Sequence, residues 1–264
     1  MTNDDGIASS GLPPLATHLT LCGSVTIGAP DREMSGTGTA VNMPGGDGRE
    51  VRISPHDIEA PTRAAFSVSA TPALSVLLAA RGVFGEIPEI VVSGPNWGAN
   101  LGHDVQHSGT VGAAYTAVRQ GMHGIAVSVA VKSSEPHWDS AAEITRLLVS
   151  ELAEADTSGP VLANLNVPDR PLDEIRGIRT VGLAGEAGYI IEGFDETHHD
   201  DGSRVLLPRV VANQRPADLD TDIGSLREGW ATLTWLRLPG ITQHEPDVLA
   251  ALHQRTSDAA GFGA

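Results

Sequence analysis

Apolar and polar positions change period repeatedly along this chain. Short apolar runs of strand length alternate with stretches in which an apolar residue recurs every three or four positions. Ser24-Val25-Thr26-Ile27-Gly28, Val51-Arg52-Ile53, Ala65-Phe66-Ser67-Val68 and residues 87–92, 124–129 and 161–168 read as strands. Between them, four sets mark the inward faces of helices: Leu12, Leu15, Leu19 and Cys22; Leu74, Leu77 and Leu78; Val111, Ala114, Val118 and Met122; and Ile144, Leu147, Leu148 and Leu152. Pro13-Pro14 and Pro72 suit first turns, where a missing N–H costs nothing. Strands alternating with helices over this length predict an α/β fold, a doubly wound and mostly parallel sheet. After Arg170 the pattern fragments. Residues 178–181, 189–191 and 205–207 predict short strands, 192–203 an acidic hairpin tip, and 229–236 a last strand. Val248, Leu249 and Leu252 predict a short amphipathic helix, and 257–264 a frayed tail.

The densest polar chemistry lies in 93–110, SGPNWGANLGHDVQHSGT, between a strand and a helix. Four glycines there allow close backbone approach to a ligand. Ser108-Gly109-Thr110 falls at the helix start, where free N–H groups and the helix dipole favour an anion. The same residues also suit an ordinary N-cap and turn. Open α/β sheets bind ligands at the carboxyl ends of their strands. Near the start, Asn3-Asp4-Asp5-Gly6 pairs two carboxylates, which suits a hard divalent cation or, equally, a helix cap. His198-His199-Asp200-Asp201 offers a second metal-like cluster or a solvated loop.

At 264 residues the chain suffices for one large domain or two small ones, and its aromatic content of 4% implies an aliphatic core. The formal charge of −16 disfavours nucleic-acid polymers and anionic membranes as partners. It leaves room for a small phosphorylated substrate, because a bound cation inverts the local field. No apolar run reaches membrane-spanning length, the first residues lack signal-peptide character, and Cys22 has no internal partner. The expected location is the cytoplasm.

Taken together, several segments resemble the SurE (survival protein) family of metal-dependent 5′/3′-nucleotidases. They are Asn3-Asp4-Asp5-Gly6, Ala29-Pro30-Asp31-Arg32 with Ser35-Gly36, Val92-Ser93-Gly94 with Asn96, and Gly98 with Asn100-Leu101-Gly102 through Ser108-Gly109-Thr110-Val111. Asn164, Asn166-Val167-Pro168-Asp169, Asp220-Thr221-Asp222 and Glu228-Gly229 follow in the family's order. The resemblance implies one domain over 1–264: a Rossmann-like core over 1–170 and a β-rich oligomerisation segment over 171–264. It implies one magnesium or manganese ion per subunit on Asp4, Asp5, Ser35 and Asn96, all oxygen donors. It places substrate phosphate on Asn100, Ser108, Gly109 and Thr110, and catalysis on Asp4 and Asp5. A homodimer or homotetramer is implied as well.

The chain departs from the family in places. Ala70-Thr71-Pro72-Ala73-Leu74 lacks an acidic residue, Pro95 and Trp97 alter the pocket rim, and only Met1 and Thr2 precede Asn3. Two residues cannot form a central strand, so the expected natural start lies several residues upstream. His103 and His107 stand near the expected phosphate and suit proton donation to a leaving alcohol. The expected reaction is hydrolysis of nucleoside 5′/3′-monophosphates. The alternatives are a phosphatase for another small phosphorylated metabolite, or an inactive nucleotide-binding or scaffold protein.

Overall fold

A computed structural model describes residues 1–41 and 50–238. The expected helix beyond 240 and the tail lie outside the described residues. The main sheet has the order β4-β5-β6-β10-β7, from β4 (Ile90–Trp97), β5 (His123–Ala130), β6 (Leu162–Pro168), β7 (Ile178–Thr180) and β10 (Ala231–Leu236). β4, β5 and β6 are parallel, β10 runs antiparallel to β6, and β7 is parallel to β10. A smaller sheet, β1-β3-β2, is built from β1 (Thr26–Pro30), β2 (Ile53–Pro55) and β3 (Ala64–Val68). The doubly wound, mostly parallel arrangement is present.

The central strands read as unbroken apolar runs because both faces are covered. On one face Ile125, Val127 and Val129 of β5 pack with Leu12, Leu15 and Leu19 of α1 (Leu12–Leu19) and with Ile144 and Leu152 of α4 (Trp138–Glu154). On the other, Ala126 meets Val111 and Ala114 of α3 (Gly109–Arg119). The same face carries α2 (Pro72–Ala79), whose Val76 joins Val91, Ala113 and Ala117.

Two helix faces differ from the expectation. In α2 the buried residues are Pro72, Ala73, Ser75 and Val76, while Leu74, Leu77 and Leu78 are only half-buried. Small residues sit inward because α2 lies close against α3, and the leucines cover the flanks. In α4, Leu147 is exposed and the inward line runs through Ala141, Ile144, Thr145, Val149 and Leu152.

Among the described residues, the backbone hydrogen bonds that join the two sheets run through the first two residues. Met1 O accepts from the Gly28 amide, the Thr2 amide donates to Val92 O, and Thr2 O accepts from the Gly94 amide. Behind this bridge a cavity of 760 Å³ opens between β1 and β4, floored by Leu19, Val76, Phe84 and Val149. The Met1 amine donates to Thr26 O at 2.6 Å, and burial pushes its pKa down to about 5.

Beyond Arg170 the two hairpin strands are longer than the sequence suggested, while β7 and β10 are slightly shorter. β8 (Tyr189–His198) and β9 (Arg204–Ala212) form a separate antiparallel hairpin whose turn is confined to 199–203. The helix α5 (Asp222–Arg227), unforeseen in the sequence, starts at Thr221, whose hydroxyl accepts from the Gly224 amide. It leads into β10, whose Ala231 and Leu233 are part of the core.

Asp169, just past β6, clamps the loop that enters α4. Its Oδ2 accepts from the amides of Lys132 and Ser133, and its Oδ1 from the amide of His137 at 2.9 Å. Burial pushes this carboxyl up, but the amides, the His137 ring and the Ser133 hydroxyl outweigh it and hold it well below the usual carboxylate range. Asp169→Asn removes charge-assisted bonds from a buried position and is expected to lower stability by about 2–4 kcal/mol, read as a drop in Tm. The folded-state pKa lies below the unfolded one. The stabilisation is therefore complete above the unfolded value of ~3.9 and drains away as pH falls toward the folded value. Melts of both proteins from neutral to acid pH should converge. A constant gap would show that the charge contributes nothing.

Candidate active site

The turn at residues 3–6 sits where the amino-terminal bridge leaves the sheet. Asn3, fully buried, donates from Nδ2 to Gly6 O at 3.0 Å and closes the turn. Gly6 has φ 92°, and a Cβ there would stand 3.0 Å from the Arg32 carbonyl carbon, so only glycine fits. The turn throws Asp4 and Asp5 toward the carboxyl ends of the strands.

Asp4 is 3% exposed and sits on the first turn of α3. Its Oδ1 accepts from the Thr110 hydroxyl, and the Gly109 and Thr110 amides also reach it. Burial pushes its carboxyl up, and these donors pull it back. The helix start thus faces a carboxylate of the chain itself. Ser108 caps the helix by accepting from the Val111 amide at 3.1 Å. Gly109 leaves no room: a Cβ there would lie 2.9 Å from Asp4 Oδ2 and 3.0 Å from Thr37 Oγ1. Gly109→Ala is therefore expected to displace the Asp4 carboxylate and cut activity about 10²-fold, as sub-ångström to 1 Å misplacements do, with the circular dichroism spectrum retained. Wild-type turnover in that variant would remove Asp4 from the reacting group.

Asp5 has a lighter tether. Its Oδ2 accepts from the Trp97 amide at 2.9 Å, and its Oδ1 has no hydrogen-bond partner among the described residues. Burial, then the charges of Asp4 and Glu33, push it up to about 6 against the pull of the Trp97 amide. Trp97 is at the end of β4, which runs further than the 87–92 of the sequence reading. A register shift between Ser93 and Asn96 puts the missing N–H of Pro95 at the irregularity. Gly94 permits it at φ 126°, since a Cβ would be 2.2 Å from Val127 O. Asn96 then donates from Nδ2 to Gly98 O at 2.6 Å, which leaves its Oδ1 unengaged among the described residues.

Ser35 lies on an exposed turn joined to the site through the Met34 amide, which donates to Asp4 O at 2.6 Å. Among the described residues no three His, Cys, Asp or Glu side chains converge. The available donors are two desolvated carboxylates with neutral hydroxyl and amide oxygens. That set, and the uncompensated charge on Asp5, fits a hard divalent cation. The second metal-like cluster does not assemble: His198 lies 3.3 Å from Glu196, and Asp201 accepts from Ser203 on an exposed tip. His103 and His107 are both exposed on the turn before α3, and no bond joins either to Asp4 or Asp5.

Asn100 is the most firmly held residue of the set. Asn166 Oδ1 accepts its amide at 2.7 Å, and the Nδ2 groups of Asn164 and Asn166 both donate to its carbonyl. Its own Nδ2 donates to Ser128 Oγ at 2.8 Å. Asp222, fully buried in α5, accepts from the amides of Gly102 and Ala184 and so pins the same loop from the other side. Sequence reasoning did not assign these grips. The available signal was a pair of asparagines two apart inside an apolar strand, since buried polar side chains need partners.

Comparison with known proteins adds an independent line. The sequence model of the family described as "Survival protein SurE" matches residues 1–187. A "5′-nucleotidase SurE" of Laribacter hongkongensis is 34% identical over 238 residues, 90% of this chain and 92% of that one. One from Halorhodospira halophila is 33% identical over 92% of each chain. The crystal structure of the SurE protein from Aquifex aeolicus superposes with a TM-score of 0.78 at 25% identity, covering 96% of this chain and 98% of that one.

Proposed function

Because the chain belongs to the SurE family, we propose that it is a phosphomonoesterase that hydrolyses nucleoside monophosphates to nucleoside and phosphate. The names of its relatives support the 5′ substrates; the 3′ substrates are a wider part of the proposal. The observation that carries the reading is the pair Asp4 and Asp5, one locked on a helix start and one half free.

Asp4, Asp5, Ser35 and Asn96 would hold one divalent cation per subunit, magnesium or manganese, which when bound supplies positive charge for the phosphoryl oxygens. Asp4 is committed to Thr110 and to the α3 amides, so its role is fixed position. Asp5 keeps an open oxygen and takes the proton of the attacking water. Asn100, Ser108 and Gly109 surround the phosphate, and Thr110 acts on it through Asp4. Their dipoles are fixed before substrate arrives, which is how such a site stabilises developing charge.

We place the enzyme in the cytoplasm; among the described residues no helix is long and apolar enough to cross a membrane. We also propose a homodimer or homotetramer built on the β8–β9 hairpin. Ile190, Ile191, Phe194, Leu206, Leu207 and Val210 are 45–65% exposed there, and a lone two-stranded hairpin is marginal in water. Light scattering at micromolar concentration should give at least twice the monomer mass of 27.4 kDa; a monomer ends this part of the proposal.

The activity is tested by phosphate release with manganese from a panel of nucleoside 5′- and 3′-monophosphates and sugar phosphates. Turnover of the nucleotides above the sugar phosphates is expected. Preference for a sugar phosphate selects another metabolite, and no turnover at all marks an inactive homologue.

A further inference from the structure

Beside Asn96 and Asn100 lies a second cavity of 410 Å³, lined by Trp97, Ala99, Asp104, Val131, Tyr189 and Val210. Its size is that of a small-molecule site, roughly 300–1,000 Å³. Its walls combine two features that nothing in the hydrolytic step uses. The first is aromatic: Trp97 is 49% exposed and Tyr189 40% exposed. The chain has only four tryptophans and two tyrosines, and one of each borders this cavity. Trp97 is also anchored at both ends, by its amide on Asp5 and by its ring 5.7 Å from that of Trp138. The second feature is Asp104. Its Oδ2 is fixed by the amides of Gly188 and Tyr189 at 2.8 and 3.1 Å, and its Oδ1 has no hydrogen-bond partner among the described residues.

We propose that this cavity seats the leaving nucleoside, its base stacked on Trp97 and Tyr189 and one of its N–H or O–H groups donated to Asp104. This rests on the phosphatase reading and names what the enzyme selects on the far side of the phosphate. Trp97 links the two halves of substrate: its backbone holds the carboxylate that faces the phosphate, and its side chain holds the ring. The seat lies at the root of the β8–β9 hairpin, so the strand that carries Tyr189 also sets substrate choice. A phosphomonoester without a ring leaves both aromatic faces wet and gains nothing from the cavity.

Two measurements test the proposal. In the first, adenosine, which has no phosphate, is titrated calorimetrically into the intact protein. Saturable binding is expected, weakened roughly tenfold in Trp97→Ala and in Tyr189→Leu, because base–aromatic stacking contributes about this much, and recovered in Trp97→Phe. Absence of adenosine binding to the wild type, or equal binding to all four proteins, overturns the proposal whether or not the protein hydrolyses anything. In the second, kcat/KM is measured for adenosine 5′-monophosphate and for glycerol 2-phosphate. The ratio of the two should fall roughly tenfold in Trp97→Ala, chiefly through KM for the nucleotide. An unmoved ratio counts against the seat. Adenosine binding without hydrolysis of either ester would keep the seat and refute the phosphatase.

Discussion

Replacing Asp5 by Asn is expected to lower nucleotide hydrolysis by roughly 10³-fold, the range of a lost general base with a weakened cation site. The fold should survive. Asp5 is a partly buried carboxylate facing Asp4 and Glu33, and burial with these charges pushes it up to about 6. A neutral amide of the same shape removes that penalty and still accepts from the Trp97 amide. Tm is therefore expected to hold or rise slightly. Turnover at saturating manganese and a thermal melt, measured on the same preparation, check both halves. Wild-type turnover would show that the proton leaves by another route. A collapsed Tm would show that Asp5 is a structural residue whose loss of activity says nothing about chemistry.

A second large effect is expected at the seam between the two sheets. In a parallel ladder successive residues face opposite sides. Val92 and Gly28 face Thr2 and Met1, so Ile90 and Thr26 face the 760 Å³ slot behind the bridge. Extending the chain ahead of Met1 by five apolar β-branched residues would lay a strand between β1 and β4, with Ile90, Val92 and Thr26 as its ladder partners. The added ladder hydrogen bonds and buried aliphatic side chains work against the entropy of ordering the new residues, and a higher Tm for the extended form is the expected result. The extension also converts the Met1 amine to an amide. That amine has its pKa lowered from 8.0 to about 5. Between those values the unfolded chain binds a proton that the folded one does not, so the unextended form gains stability as pH rises. The advantage of the extended form should therefore be largest near pH 5 and shrink toward pH 8. Equal melting temperatures at every pH would mean that the slot does not accept a strand.

Much of this architecture was legible because periodicity reports burial. β5 and β6 are covered on both faces, and their runs are apolar without alternation. Ile144 and Leu152 recur at helical spacing because one side of α4 rests on the sheet. Leu147 misled for the same reason: it keeps the period but falls just past the edge of the contact. The hairpin was underestimated because its strands have no buried face. Tyr189 to His198 carries glutamate, aspartate and threonine among its apolar residues, and the alternation that marks a half-buried strand is missing. At the site, the residue types suggested a chemistry but not who holds whom. Thr110 was read as a phosphate ligand, and its hydroxyl is bonded to Asp4. Asn164 and Asn166 were visible only as parts of a resemblance, and they turn out to grip Asn100 by its backbone. Such partners lie about 65 residues apart in sequence, a separation no local pattern encodes.

The grip on Asn100 bears on what substrate binding costs. A loop that carries ligand-facing groups normally loses conformational freedom when the ligand arrives, and that loss is subtracted from affinity. Here both backbone groups of Asn100 are already bonded to β6, and Asp222 fixes Gly102 next to it. The ordering was done during folding, at the expense of the stability of the sheet. In the proposed site, substrate would meet a rigid wall on this side and spend its contacts on discrimination. Whatever adjustment the site makes falls to the exposed Ser35 turn and the root of the hairpin.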